Sequence, residues 1–129
     1  MTRIAGLLGI VSALMGFAFP FVFGAMDPDY SHVRDFISEL GAAGAPNAAL
    51  VNWYGFLPVG IVMTAFSVLA WAVLPRSWAA TVGFLGIFFF ALGYTGAAFF
   101  PCDAGSQPAE PSFSQTMHNL TGLLGYLGA

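Results

Sequence analysis

Ile4-Ala-Gly-Leu-Leu-Gly-Ile-Val-Ser-Ala-Leu-Met-Gly-Phe-Ala-Phe-Pro-Phe-Val-Phe23 decides the fold class. Only Ser12 interrupts its apolar character. A helix of roughly 20 apolar residues crosses a hydrocarbon core of about 30 Å. The run therefore reads as a membrane span, and Pro20 predicts a kink near its far end. Arg3 before it and Gly24-Ala25 after it resemble the flanks of a secretory signal. Its apolar stretch exceeds the roughly 7–15 residues of such a signal, so an anchor is the better reading.

Two further runs have the same character: about Trp53–Leu74, with Pro58 in its first turns, and Ala79–Phe100. None of the three cores holds Asp, Glu, Lys, Arg or His. The composition agrees. Of the 129 residues, 58% are hydrophobic and 7% charged, against about 25% charged in a soluble domain. The net charge of −3 and the absence of an Arg cluster exclude a nucleic-acid partner. One cysteine, Cys102, and two histidines are too few for a closed zinc site.

Arg3 and Arg76 fall on one side of the predicted membrane, which the positive-inside rule makes cytoplasmic. Asp27, Asp29, Asp35, Glu39, Asp103 and Glu110 fall on the other, with Arg34 as the one basic residue there. The expectation is a plasma-membrane protein with its N-terminus inside. Trp53, Tyr54 and Trp78 sit at predicted interfaces as aromatic anchors.

Residues 24–52 form the first outer loop. Within it, Val33, Phe36, Ile37 and Leu40 recur at i, i+3, i+4, i+7, which predicts a short amphipathic helix over Ser31–Leu40. Ser31 or Asp29 can cap its start and Gly41 can end it. Pro46 suits the first turn of the next helix, so that helix is expected to begin before its apolar span. Residues 101–115 form the second outer loop. Ser112-Phe-Ser-Gln115 has capping-box spacing and predicts a helix start. From Met117 to Ala129 this helix reaches about 20 Å at 1.5 Å per residue, so the fourth span (116–129) is expected to be incomplete. The whole is an all-α, multi-pass transmembrane bundle in one domain. Small residues at packing spacing are Ser12 with Gly16, Gly93 with Ala97, and Gly122, Gly125 and Gly128. They predict close helix contacts within the bundle, or a dimer seam.

The ionisable residues gather at the outer end. His32, His118, Asp103, Glu39 and Asp35 are of the types that hold a divalent metal and activate water. Alternatively, His118 is placed to act as a base beside Ser31, Ser38 or Ser112. The purely structural alternative is that Arg34 pairs with a carboxylate and His118 hydrogen-bonds a loop. No His-Glu-x-x-His, Gly-x-Ser-x-Gly or phosphate loop is present. Cys102 lacks a basic neighbour that would activate its thiol. Away from their ends, the spans offer only Ser12, Thr64, Ser67, Tyr94 and Thr95 as polar groups, which argues against an ion relay.

Ser31-His32-Val33-Arg34-Asp35-Phe36-Ile37-Ser38-Glu39-Leu40-Gly41, Gly44-Ala45-Pro46-Asn47, Phe100-Pro101-Cys102-Asp103 and His118-Asn119-Leu120 occur in this order. Together they resemble the prokaryotic "domain of unknown function 998" family. The resemblance implies a six-helix integral membrane protein without an established activity, distantly similar to the Frag1-like group tied to membrane-lipid remodelling. It also implies a second cysteine shortly after the first, in a Cys-Asp-x-Gly-Cys-Pro stretch. Here Ser106 and Gln107 follow Gly105, so that loop disulfide is unavailable. The expected role is a polar cap that binds or acts on membrane lipids. Glu39, Asp103 and His118 form its expected core, with Asp35 and Arg34 in support. A non-catalytic scaffold or lipid-binding module is the alternative, and a transporter a third reading.

Overall fold

The computed structural model describes residues 1–129 and is helical throughout, with no strand. Four helices follow one another: α1 Thr2–Gly24, α2 Ala48–Val73, α3 Trp78–Phe99 and α4 Phe113–Gly128. The first three are long and apolar enough to cross a membrane. At 1.5 Å per residue, the 23 residues of α1 and 22 of α3 reach about 35 and 33 Å, matching the hydrocarbon thickness. The protein is a helical membrane bundle. Each helix packs on its neighbours in the chain, α1 on α2, α2 on α3 and α3 on α4. The α1–α2 and α3–α4 loops consequently share one end, the cap, and touch there: Ala43 N–H donates to Cys102 O at 2.8 Å.

The spans are sorted by side-chain size. Ile4, Leu7, Ile10, Leu14, Phe17 and Phe21 of α1 are exposed along one stripe, whereas Ala5, Ser12 and Phe19, seven residues apart, are buried. In α2 the buried set includes Gly60, Ser67 and Ala70, and in α3 it includes Ala91, Gly96, Ala97 and Ala98. Lipid supplies no hydrophobic force between helices, so small residues face inward to permit close backbone approach, and bulky ones meet acyl chains. The α3–α4 seam brings backbone against backbone. A Cβ on Gly125 would stand 3.4 Å from Gly93 Cα, and one on Gly128 would press on Phe89 Cβ at 2.9 Å. The small-residue spacing in α3 and α4 thus serves packing within the bundle.

As expected from Pro46, α2 starts ahead of its apolar span, with Asn47 as N-cap. Its second turn, Asn52–Phe56, widens to π geometry. Pro58 has no N–H to offer the carbonyl of Tyr54, and a local rewinding is the usual accommodation. The turn leaves Trp53 and Tyr54 exposed and buries Asn52, Gly55 and Phe56. α1 runs through Pro20 to Gly24.

One element differs from expectation. The ten-residue amphipathic helix over Ser31–Leu40 is replaced by turns followed by a 3₁₀ helix, Ile37–Gly41. Asp35 is the cause. Its Oδ2 accepts from Ser31 N–H at 2.8 Å, and it holds Arg34, which also donates to Asp29 O at 2.9 Å. Such local side-chain bonds compete with helix hydrogen bonds. Phe36 is then extended (φ −71°, ψ 146°), and Val33, Phe36 and Ile37 stay exposed. Of the predicted apolar face only Leu40 is buried. Neither Ser31 nor Asp29 caps a helix there. The 3₁₀ helix is latched to α2 because buried Asn52 Nδ2 donates to Gly41 O at 2.9 Å.

Candidate functional site

The site grows out of the α3–α4 connection. Ser112 is the N-cap of α4 and its hydroxyl accepts from Gln115 N–H at 3.0 Å. A complete capping box would have Gln115 reach back to Ser112 N–H. Asp103 takes that position: Oδ2 accepts from Ser112 N–H at 2.9 Å and Oδ1 from the Ser112 hydroxyl at 2.7 Å. These two bonds hold the Asp103 carboxyl below the usual range, against a smaller opposing effect of desolvation.

Gln115 is thereby released inward, where it is 1% exposed. Its Oε1 accepts from Asp103 N–H at 2.7 Å, and its Nε2 donates to Ser106 O at 3.2 Å and to Asn119 Oδ1 at 2.7 Å. Ser114 Oγ donates to Pro101 O at 2.7 Å. Cys102 binds the other loop as well: its Sγ donates to Ser38 O at 3.3 Å, while Ser106 Oγ donates to Sγ at 3.4 Å. Burial raises the Cys102 thiol, outweighing these two hydrogen bonds.

His118 stands one turn into α4. Its Nδ1 lies 2.8 Å from Phe100 O. A carbonyl only accepts, so Nδ1 carries the proton, and in the neutral ring Nε2 keeps its lone pair. The ring borders a cleft between the first outer loop, α3 and α4. The cleft has two chambers of about 460 Å³ each. Both are bordered by Phe36, Ser38, His118, Gly122 and Tyr126, so they adjoin at one waist. The outer chamber adds polar groups, among them Ser106, Gln107, Gln115 and Asn119. The inner one descends along Phe90, Gly93, Tyr94 and Ala97 of α3 and is apolar. Its floor belongs to a stack of rings, with Phe56–Tyr94 centroids at 5.9 Å, Phe90–Tyr94 at 5.3 Å and Phe19–Phe56 at 4.7 Å. Gly122 at the waist has nothing within 4 Å of the position its Cβ would take, so a larger side chain there would extend into the cleft.

A scan against protein-family models matches residues 4–129 to "Protein of unknown function (DUF998)". The chain belongs to this family. No curated protein and no solved structure matches it. In this DUF998 chain, the expected site residues part company. Arg34 and Asp35 form a bidentate pair, Nε–Oδ1 at 2.7 Å and Nη2–Oδ2 at 3.0 Å, which lowers the Asp35 carboxyl. Asp35 also borders the inner chamber. Glu39 is half-buried and in no ion pair, and it does not border the cleft. Asp103 is committed to Ser112 and does not meet His118. His32 packs against Tyr30 and Phe21 at the end of α1, with ring centroids 5.0 and 5.1 Å apart.

The four metal candidates, His118, Asp103, Glu39 and His32, are therefore not gathered, and no three His, Cys, Asp or Glu side chains stand together as a ligand set. The donors needed to hold a divalent ion do not fit this arrangement. Of the three serines weighed as partners for His118, Ser112 is spent on capping, Ser31 lies outside the cleft, and Ser38 borders it with His118. Sequence reasoning passed over Gln115, Gly122 and Tyr126 as site residues. Gln115 left a trace in its capping-box spacing. The other two left none, since their roles depend on which face of α4 turns toward the loop.

Proposed function

We propose that this protein binds a membrane lipid in the cleft between the first outer loop, α3 and α4. One observation carries the reading: a chamber lined mainly by polar residues and one lined mainly by apolar residues, each of about 460 Å³, adjoin at a shared waist beside His118. That gradient runs from the cap toward the membrane interior, as an amphiphile does. A headgroup meets the hydroxyls, amides and imidazole of the outer chamber. The first part of an acyl chain follows the Phe90–Tyr94 floor. Ligand sites are typically concave and mostly apolar with a few fixed polar groups.

The scaffold alternative requires a cap closed by its own ion pairs, and an open cleft favours binding over it. The transport reading has less support. Ser12 Oγ, Ser67 Oγ and Thr95 Oγ1 each donate to a carbonyl of their own helix, so these hydroxyls line no polar path. We place the cap outward in the plasma membrane, on the strength of Arg3 and Arg76 at the opposite end.

The test is a lipid carrying a photoreactive diazirine near the glycerol, reconstituted with the purified protein. Crosslinks concentrated on Phe36, His118 and Tyr126 are expected, and they should fall in Gly122→Leu, which fills the waist. Crosslinks spread evenly over the exposed stripe of α1, and unchanged by Gly122→Leu, would overturn the reading.

A further inference from the structure

We infer that the cleft selects lipids whose headgroup donates hydrogen bonds and carries no net negative charge. This assignment rests on the lipid-binding reading above and adds the class of headgroup. Arg3, Arg34 and Arg76 are the only basic residues apart from histidine. Arg3 opens α1 and Arg76 lies between α2 and α3, so both sit at the end opposite the cap. Arg76 stacks over the Trp71 ring at 5.0 Å. Arg34 is consumed by Asp35 and by the Asp29 carbonyl. No arginine or lysine borders either chamber.

The cap carries six carboxylates against one guanidinium, a formal balance of −5. Asp35 itself borders the inner chamber. Its charge is met by Arg34, but the other five carboxylates have no arginine, and such a net field repels like charge. An anionic phosphate headgroup would meet this field without a cation to hold it, whereas phosphate sites rely on Arg or Lys forks.

Alongside amide and hydroxyl donors such as Asn119 Nδ2, the waist and the outer chamber offer acceptors for a donor headgroup. His118 Nε2 keeps a free lone pair because Nδ1 is tied to Phe100 O. Ser106 spends its proton on Cys102 Sγ, so its oxygen faces other groups as an acceptor. Asn119 Oδ1 accepts from Gln115 and retains a second lone pair. These acceptors match the hydroxyls of a sugar or polyol headgroup, or the ammonium of an ethanolamine headgroup. Both have the same chemistry: donors, with no net negative charge.

The experiment is competition. The purified full chain is equilibrated in micelles with equimolar phosphatidylglycerol, phosphatidylethanolamine and monoglucosyl-diacylglycerol of identical acyl chains, then washed, and retained lipid is read by native mass spectrometry. We expect glucosyl or ethanolamine lipid to exceed phosphatidylglycerol several-fold, and the two neutral arms identify which donor is preferred. Gly122→Leu should abolish the excess. Gly83→Leu, another site with open space around its Cβ but away from the cleft, should keep it. Gln107→Lys supplies the missing cation at an exposed position of the outer chamber and should raise phosphatidylglycerol retention at least to parity. Retention of phosphatidylglycerol at or above the neutral lipids in the wild type would overturn the headgroup assignment while leaving the cleft reading intact. Equal total retention by wild type and a folded Gly122→Leu would overturn the cleft reading itself.

Discussion

Gln115→Leu removes the hub of the cap without changing its bulk much. The side chain is 1% exposed and makes three hydrogen bonds, to Asp103 N–H, Ser106 O and Asn119 Oδ1. Asn119 is exposed, so water replaces its lost partner. The Asp103 amide and the Ser106 carbonyl are part-buried and lose theirs. A polar group left unsatisfied costs about 1–3 kcal/mol, so two cost about 2–6 kcal/mol. Leucine returns roughly 1 kcal/mol by burying more apolar surface at about 0.8 kcal/mol per methylene-sized group. The expected net loss is roughly 1–5 kcal/mol. Reversible unfolding in mixed SDS micelles, followed by far-UV circular dichroism, measures it. Because Gln115 fixes Asp103 and Ser106, the same variant should expose the Cys102 thiol to alkylation well before global unfolding. A Gln115→Leu variant within about 0.5 kcal/mol of wild type, with Cys102 still protected, would refute the view that this amide organises the cap.

Ser106→Cys should form a disulfide with Cys102, because Ser106 Oγ already lies 3.4 Å from Cys102 Sγ. Closing so short a loop, about five residues, is worth roughly 2 kcal/mol. In cells the bond should form only if the cap faces an oxidising compartment, and a thiol-trapping gel shift on intact cells reads both points. Asp103→Asn should reduce acid sensitivity. The folded carboxyl is depressed by its bonds to Ser112, so its stabilisation is present above the ordinary value of 3.8 and is lost as pH falls through the folded one; unfolding midpoints between about pH 5 and 2 should flatten in the variant. Gly125→Val should separate α3 from α4, since even a Cβ there stands 3.4 Å from Gly93 Cα, whereas Gly122→Val meets open space. The first should cost about 1–3 kcal/mol by overpacking and the second far less, compared in the same micelle titration.

The spans were legible because lipid imposes one rule over many residues. A run such as Ile4–Phe23 has a single stable form in hydrocarbon, and its length is read directly. Ser112 and Gln115 marked the start of α4 because capping chemistry is local, whereas Pro46 stands two residues ahead of the helix it was expected to open. The amphipathic period over Val33–Leu40 misled for a reason of the same scale. One carboxylate, Asp35, bonded back to Ser31 and Arg34, and that outweighed a short apolar stripe with nothing large to cover it. The cleft was not legible. It depends on how α4 lies across α3, which is set by contacts such as Gly93 with Gly125, and on where a non-helical loop comes to rest. Periodicity carries neither.

The distribution of bonds also changes which charged residues can carry chemistry. Six carboxylates and two imidazoles at one end look like an excess of acid–base groups for a small membrane protein. Half are spoken for. Asp35 binds Arg34 and Ser31, Asp103 closes the first turn of α4, Asp27 accepts from Asp29 N–H, and His32 is packed among rings. The carboxylates of Asp27, Asp35 and Asp103 each take up a backbone N–H that no regular helix ladder satisfies. The acidic residues thus stand where the chain must turn twice outside the hydrocarbon with little 3₁₀ or α structure to help. Only His118 combines a fixed ring, an untied nitrogen and a cavity wall. It is fixed by a main-chain carbonyl rather than by a carboxylate, so its orientation survives changes in the charge state of the cap. A ring held in that way, at the waist where the two chambers adjoin, offers a fixed nitrogen to whatever ligand occupies the cleft.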